Sequence, residues 1–293
     1  MEAATRASNV PGILQRIQAL PTIPVVAEQV GRLINDPRSD ARAVAEVMRG
    51  DPALTAKVLR LVNSPYYAIP GGVSDVPRAI SFLGFSTLYQ LVLTASVFRI
   101  VEGTKERSEV RQIFKHSLAC AAAAESLAEL LGHPAPGECF TAGLLHDIGK
   151  IALMHVAEDD FVSALVSARR QGIPMREAEL EAGLPSHDAA GLHLARSWRF
   201  PLSLQAVIGY HHHNDPASRS GLARHLNPSV DLVSLADTIA RRVVADPLAP
   251  VPEMPDTILE RMGLLPSVET RVHDALWRKV EKSQSFMEIL CAA

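Results

Sequence analysis

The sequence is poor in cysteine and in net charge, and each shortage excludes a class of protein. Its three cysteines, Cys120, Cys139 and Cys291, are far apart in a chain of 293 residues and form no CxxC pair. This excludes a zinc ribbon, argues against disulfides and predicts a reducing, cytoplasmic environment. A net charge of −3 gives no electrostatic reason to expect binding to nucleic acid or to an anionic membrane.

Long apolar segments are also lacking. The first ten residues are polar, so we predict no signal peptide. No run approaches the roughly 18 uninterrupted apolar residues of a membrane-spanning helix, so no membrane span is expected. Aromatic residues make up only 5% of the chain, and strand-like alternation is nearly absent. Abundant alanine and leucine instead predict an all-α fold of many packed helices.

The helical segments divide into two predicted lobes. Residues 13–105 form a lobe of short helices, and residues 106–293 form a larger helical bundle with a C-terminal helical extension; the boundary is the polar stretch Glu102–Ser108. The first lobe contains a helix ending at Ile34, Asp40–Arg49, Ala53–Val62, a short helix capped by Ser74 or Asp75, and Ser86–Arg99. The second contains Glu109–Leu131, Glu138–Ala157, Asp159–Gln171, Ser186–Arg199, Leu202–His213 and Val230–Val244, the loop Asp246–Pro255, and a helical tail Pro266–Met287.

Five histidines and two aspartates of the second lobe recur at intervals of one helix or more. They are separated by 30, 40, 24 and 25 residues, so that each single residue or adjacent pair falls on a different predicted helix: His116, His146-Asp147, His187, His211-His212 and Asp237. Helical bundles build mononuclear or dinuclear metal centres in this way, with imidazole and carboxylate ligands from successive helices. The pattern indicates the scaffold of a metal-dependent phosphohydrolase.

Each histidine also has an ordinary interpretation. His116 and His187 lie on inward-facing apolar stripes, where a single histidine is more often a hydrogen-bonded core residue than a ligand. Adjacent histidines lie about 100° apart on a helix, so one of His211 and His212 could ligate a metal while the other forms a hydrogen bond or reaches a second metal. A solvated helix end explains His213 equally well.

Asp237 gives the strongest single indication of a metal site. It lies in the middle of the apolar stripe Val230, Val233, Ala240 and Val244. A buried carboxylate without a partner costs several kcal/mol. Arg241 or Arg242 could supply a salt bridge, but both are expected to lie to the side, exposed to solvent. We therefore interpret Asp237 as a metal ligand.

Longer motifs give the chain a recognisable resemblance over about Leu20–Ala240. The motifs are Leu20-Pro21-Thr22-Ile23-Pro24, Asp51-Pro52-Ala53-Leu54, Val62-Asn63-Ser64-Pro65, Ala79-Ile80 with Leu83-Gly84, His116-Ser117-Leu118, Ala142-Gly143-Leu144-Leu145-His146-Asp147-Ile148-Gly149-Lys150, Trp198 with Pro201, and His211-His212. The chain resembles HDOD domain proteins, which are related to the HD superfamily of metal-dependent phosphohydrolases. The resemblance implies a bacterial signalling or output module without demonstrated catalysis.

The seven residues also resemble, in type and order, the ligands of HD-GYP cyclic-dinucleotide phosphodiesterases. Two positions depart from that pattern. Asn214-Asp215-Pro216 follows the histidine pair where a Gly-Tyr-Pro loop would stand, and Gln112 lies one turn before His116 where some members carry glutamate. The resemblance therefore implies a metal site but argues against hydrolysis of cyclic di-GMP.

The ligand types restrict the metal and its chemistry. Imidazole and carboxylate without thiolate suit one or two Fe, Mn, Zn or Ni ions better than Mg or Cu(I). In an active site, such ions would activate water for attack on phosphorus, with Asp147 bridging them. Lys150 could hold a phosphate oxygen, or it could equally be a surface lysine.

Three functions follow from these residues. The first is a noncatalytic signalling adaptor with a structural or sensory metal and a protein partner, which could bind near Tyr66-Tyr67 and the Pro70-Gly71-Gly72 loop. The second is a phosphohydrolase acting on a nucleotide, cyclic dinucleotide or other phosphorylated small molecule. The third is a metal-free interaction protein whose histidines merely pack. Because about a dozen residues precede the first predicted lobe, we expect the input signal to come from a separate protein or a small ligand.

Overall fold

The computed structural model describes residues 10–21, 23–34, 36–100, 108–244 and 252–291. In these ranges the regular elements are α-helices and two short 3-10 helices, with no β-strand. The predicted all-α fold is therefore confirmed. The chain divides into two compact units.

One unit comprises Pro21–Glu106 and Ala275–Ala293. Its first helices are α2 (Val25–Ile34), α3 (Ala41–Met48), α4 (Pro52–Val62) and α5 (Val76–Ile100). Acidic N-caps fix where two of them begin: the carboxylates of Asp40 and Asp51 accept from the backbone N–H of Ala43 at 2.8 Å and of Leu54 at 3.0 Å. Pro52 then occupies the first turn of α4, where a missing N–H costs nothing.

Helix α5 is two helices joined at a kink. Gly84 has φ 79° and ψ 168°, a backbone conformation that favours glycine. Asp75 caps the first part, because its Oδ1 accepts from the N–H of Arg78 at 2.8 Å. The kink agrees with the predicted short helix followed by a longer one. By length and composition Val76–Arg99 could cross a membrane, but half of the stretch is buried inside the fold, as in a core helix, so this is weak evidence for a span.

The loop after α4 is held by a side chain. Asn63 accepts from the N–H of Val73 at 2.7 Å and donates to its carbonyl at 2.8 Å. Within the loop, the rings of Tyr66 and Tyr67 meet edge to face at 5.0 Å, and both lie against Phe286, at 5.7 and 6.4 Å. Both tyrosines are half-buried, so this part of the predicted partner surface is partly covered by the chain itself.

The other unit comprises Met1–Leu20 and Arg107–Asp274. Its helices are α1 (Val10–Gln18), α6 (Ser108–Leu130), α7 (Pro136–Leu145), α8 (Ile148–Val156), α9 (Glu158–Gln171), α10 (Met175–Glu181), α11 (His187–Ser197), α12 (Leu202–Tyr210), α13 (Asn227–Val243) and α14 (Asp256–Met262), with 3-10 turns at Pro216–Ser218 and Arg224–Leu226. The last helix, α15 (Val268–Cys291), contributes residues to both units.

These units differ from the predicted lobes at the two chain ends. Helix α1, which the sequence did not predict, buries Ile13 and Ile17 and packs on α8 and α11 of the larger unit. Residues 275–291 of α15 group with the smaller unit. The short helices α10 and α14 were not predicted either. In the predicted loop Asp246–Pro255, residues 246–251 lie outside the described residues, and Pro252–Pro255 is not helical.

Two glycines set how closely the helices of the larger unit cross. A Cβ on Gly143 would lie 2.8 Å from the Cα of Ala121, so α7 crosses α6 at short range. A Cβ on Gly149 would lie 1.9 Å from the carbonyl oxygen of His187. Only glycine permits this approach of α8 to the start of α11, and the approach brings His187 to the His146-Asp147 segment.

Candidate metal centre

The structure brings together all seven residues that the sequence singled out. His116 lies within α6 and Asp237 within α13, as predicted. The other five lie at helix ends: His187 is the first residue of α11, His146-Asp147 joins α7 to α8, and His211-His212 follows α12. The predicted continuous helix Glu138–Ala157 is therefore wrong, and the helix predicted to end at His213 ends at Tyr210. Backbone turns at these points direct adjacent side chains into one centre.

The seven residues form two groups that could each hold a metal ion. One contains Asp147, His187, His211 and His212, and the other contains His116, His146 and Asp237; within each group the ligand atoms lie within 4.8 Å of one another.

Asp147 faces both groups with different oxygens. Its Oδ1 lies 3.4 Å from His187 Nε2 and 3.6 Å from His211 Nε2. Its Oδ2 lies 3.4 Å from His146 Nε2 and 3.7 Å from His116 Nε2. A carboxylate in this position can bridge two cations.

Backbone carbonyls orient two of the imidazoles. His146 Nδ1 lies 2.6 Å from the carbonyl oxygen of Gly143, and His211 Nδ1 lies 3.1 Å from those of Val207 and Ile208. These contacts engage Nδ1 as the donor and leave Nε2 as the nitrogen that faces the centre and could bind a metal. His146, Asp147 and His211 are at most 1% exposed.

Several buried atoms at the centre lack a hydrogen bond among the described residues. They are the Nε2 atoms of His146 and His211 and the Oδ1 of Asp147. Buried polar atoms are nearly always paired, so an unpaired set that converges on one point requires an explanation. A bound cation would satisfy all of them, and nitrogen and oxygen donors suit a divalent transition metal.

Glu179 is a buried member of the site that the sequence did not reveal. This residue of α10 is fully buried, and its Oε2 lies 2.8 Å from both the backbone N and the Nδ1 of His187. The carboxylate therefore fixes the tautomer and the ring of His187. Glu179 lies in a short, mostly charged helix with no apolar stripe, so its position carried no signal.

Asp237 has a partner that we did not expect. Arg241 donates from Nε to Asp237 Oδ1 at 3.0 Å, and its Nη2 lies 2.9 Å from Oδ2. The prediction that Arg241 lies to the side and leaves Asp237 alone is therefore wrong. Asp237 Oδ1 is nevertheless 2.8 Å from His116 Nε2. The carboxylate is both paired with an arginine and directed at the centre.

Lys150 lies at the centre and is largely buried. Its Nζ donates to Asp147 Oδ2 at 2.5 Å, and its side chain is only 12% exposed. The sequence allowed Lys150 to be either a phosphate-binding residue or a surface lysine, and its burial excludes the surface lysine.

His213 is also not a solvated helix end. Its Nε2 lies 3.4 Å from the buried Asp188 and 3.3 Å from Arg176 Nη2, outside the metal-ligand groups.

The protonation states suit a metal. Burial lowers the pKa values of His116, His211 and His212, which are therefore neutral. Burial acts to raise the pKa of Asp147, but the charges of His146 and Lys150 outweigh it and hold that pKa well below its usual value. For His146, burial acts to lower the pKa, but the Asp147 carboxylate overcomes it and the pKa is raised well above normal. A metal would replace the proton that His146 carries.

A cavity of about 340 Å³ opens beside the ligands. His211, His212 and Asp237 form part of its wall, and Arg241 lines it as well. Residues Pro252–Pro255 line it too. This volume lies at the lower end of the roughly 300–1,000 Å³ range of small-molecule sites.

Comparison with known proteins identifies relatives of this chain. A family profile for the HDOD domain matches residues 20–214. A protein of Treponema pallidum (strain Nichols), with no described function, is 22% identical over 248 residues, which are 84% of this chain and 47% of that protein. The chain thus spans about half the length of the curated relative it matches.

Solved structures match over nearly the whole chain. An HDOD domain protein of unknown function from Geobacter sulfurreducens is 25% identical, with a TM-score of 0.66 over 99% of this chain and 97% of that one. A protein provisionally named a phosphohydrolase, from Shewanella amazonensis SB2B, is 26% identical, with a TM-score of 0.67 over 92% and 97%. A protein provisionally named for signal transduction, from Marinobacter aquaeolei VT8, shares the fold at 20% identity, with a TM-score of 0.78 over 100% and 67%.

Proposed function

The chain belongs to the HDOD domain family, and from this we propose that it is a bacterial signalling module whose larger unit binds two transition-metal ions. The observation that carries the proposal is the position of Asp147, whose two carboxylate oxygens face two separate groups of histidines. A carboxylate buried only to pack would need one partner, whereas this one stands between two sets of nitrogen donors.

In this proposal the metal pair stabilises the fold or senses metal availability, and the output is a protein interaction. The family resemblance supports a noncatalytic role, and so does Asn214-Asp215-Pro216 in place of a Gly-Tyr-Pro loop. We propose a cytoplasmic location, which is supported by the two free, buried cysteines Cys120 and Cys139. The partner is proposed to be a protein of the same signalling pathway.

Metal analysis tests this function directly. The purified protein is dialysed against buffer that contains only traces of free metal. The Fe, Mn, Zn and Ni that it retains are then measured. We expect about two ions per chain in the wild type and none in Asp147→Ala, because both groups lose a shared ligand. The exposed Asp160 provides a matched control, and Asp160→Ala should keep the wild-type content. A wild type without metal under all loading conditions would refute the proposal.

A second candidate function, hydrolysis of a small phosphoester, is favoured by the cavity that opens on His212 and Asp237. Bound ions would supply Lewis acidity and an activated water. Lys150 would hold Asp147 in place, and the cavity would exclude bulk solvent on the side of Pro252–Pro255. A panel of phosphomonoesters and nucleotides, tested with protein loaded with Mn or Fe, separates the two functions. Turnover that is lost in Asp147→Ala would favour hydrolysis.

A further inference from the structure

We propose that Arg219, Asp231 and Arg261 form a clamp, buried at Arg219 and Asp231, that positions His212 and thereby sets the metal affinity of the group containing His187 and His212. This inference rests on the proposed metal centre. It identifies residues outside both ligand groups that decide whether an ion binds to the group containing His187 and His212.

His212 needs positioning from outside because its own surroundings supply little. It lies two residues beyond the end of α12 at Tyr210, so no continuing helix fixes its backbone. Its ring has a single hydrogen-bonding contact among the described residues, between its Nε2 and that of His187 at 2.8 Å. The other imidazoles of this group are oriented through Nδ1, His187 by Glu179 and His211 by backbone carbonyls. The position of the His212 ring therefore depends strongly on the backbone of the turn that carries it.

The two residues that follow His212 are held by arginines. Arg219 donates from Nε to the carbonyl of His213 at 2.8 Å, and Arg261 donates from Nη2 to the carbonyl of Asn214 at 2.7 Å. These contacts fix the turn immediately after the ligand. Both donors are planar guanidinium groups, whose fork geometry restricts the direction of each bond.

One buried carboxylate holds both arginines. Asp231, which is 4% exposed, accepts from Nη2 of Arg219. It also accepts from Nε and Nη2 of Arg261, at 2.9 and 2.8 Å. The side chain of Arg219 is fully buried, and its Nη1 donates to Asn227 Oδ1 at 2.9 Å. Every charged group of the clamp therefore has a partner, as burial requires.

The clamp joins the turn to the helix that carries a member of the other ligand group. Asp231 lies on α13, six residues before Asp237, a member of the other ligand group. The carbonyls after His212 are thus tied to the helix that carries a ligand of the neighbouring ion. Loss of the clamp releases the His212 turn but leaves His116, His146 and Asp237 on their own elements.

Arg261→Met tests this proposal. The side chain of Arg261 is 31% exposed, so methionine fits in its place. Asp231 still has Arg219 as a partner and is not left as an unpaired buried charge. Arg242→Met is the matched control: Arg242 is 30% exposed and also binds one carboxylate, Glu269, and one carbonyl, that of Pro252. We expect Arg261→Met to weaken binding of one of the two ions by about 10- to 100-fold, and Arg242→Met to leave both unchanged. Titration of apo protein with Mn or Zn gives both affinities.

A double-mutant cycle with His212→Ala separates positioning from general loss of stability. If the clamp acts through His212, adding Arg261→Met to His212→Ala causes no further loss of metal. Equal affinities in wild type and Arg261→Met, additive losses in the double variant, or an equal loss in Arg242→Met would each overturn the proposal. A wild type that binds one ion or none would overturn the two-metal centre itself, and the clamp with it.

Discussion

Glu179 Oε2 lies 2.8 Å from His187 Nδ1, and the two side chains are almost completely buried. The same carboxylate oxygen accepts from the backbone N–H of His187, which is otherwise an unpaired donor at the start of α11. One acidic residue therefore places both the backbone and the ring of a metal-facing histidine. This is the carboxylate–histidine arrangement by which proteins increase the basicity of a ligand.

Replacing Glu179 should weaken metal binding without removing a ligand. We expect Glu179→Gln to lower metal affinity by about 10- to 100-fold, because the amide cannot favour the correct tautomer as a carboxylate does. Metal titration followed by calorimetry measures the change. Glu177, two residues earlier and exposed, is the control position. An unchanged affinity in Glu179→Gln would mean that His187 is not a ligand.

The sequence predicted the all-α fold and the seven residues that converge at the centre, because both depend on local patterns. Apolar stripes placed His116 and Asp237 inside helices, and the spacing assigned the other residues to successive helical segments. Glu179 was missed because its partner is eight residues away, beyond the range of helical periodicity. The break at His146-Asp147 was missed because Gly143–Lys150 contains no proline, and the break depends on the tertiary approach of α8 to α11.

The pairing of Arg241 with Asp237 has opposite effects on stability and metal affinity. Arg241→Gln should destabilise the metal-free protein by about 1–3 kcal/mol, because the buried Asp237 loses its main partner. The same change should strengthen metal binding, because a positive charge beside the ligand is removed. Denaturant unfolding and metal titration measure the two effects, with Arg242→Gln as the control. Weaker binding in Arg241→Gln would show that Arg241 supports the site rather than competing with the metal.

The glycine at the crossing of α8 and α11 has little room for a side chain. In Gly149→Ala the new methyl group would lie 1.9 Å from the carbonyl oxygen of His187, and that backbone has to move. We expect a loss of about 1–3 kcal/mol or more in unfolding free energy, together with weaker metal binding. Gly50→Ala, whose nearest contact would be 3.2 Å, should change stability by about 1 kcal/mol or less. Full stability in Gly149→Ala would contradict the close crossing.

Metal binding should release protons and strengthen as the pH rises. The pKa of His146 is raised in the metal-free fold by the Asp147 carboxylate, so at neutral pH His146 carries a proton that a metal must displace. That raised pKa stabilises the metal-free protein below the usual histidine pKa, and the contribution is lost as the pH rises through the folded value. Lowering the pH from about 8 to about 6 should therefore weaken metal binding. Calorimetry in two buffers of different ionisation enthalpy counts the released protons, and zero release would contradict a protonated His146.

The turn after the histidine pair bears on the substrate. In this chain the turn at Asn214-Asp215-Pro216 is held by arginines, because the carbonyls of residues 213 and 214 accept from Arg219 and Arg261. Metals and their ligands supply only part of a hydrolase, since the rate also depends on holding the phosphate in line with the attacking water. A turn whose carbonyls are already engaged by arginines, beside a cavity of about 340 Å³, offers little to position a cyclic dinucleotide. We therefore expect no appreciable turnover of cyclic di-GMP by protein loaded with Mn or Fe, measured by chromatography of the products. Turnover that disappears in Asp147→Ala and persists in Asp160→Ala would contradict this and make hydrolysis the primary function.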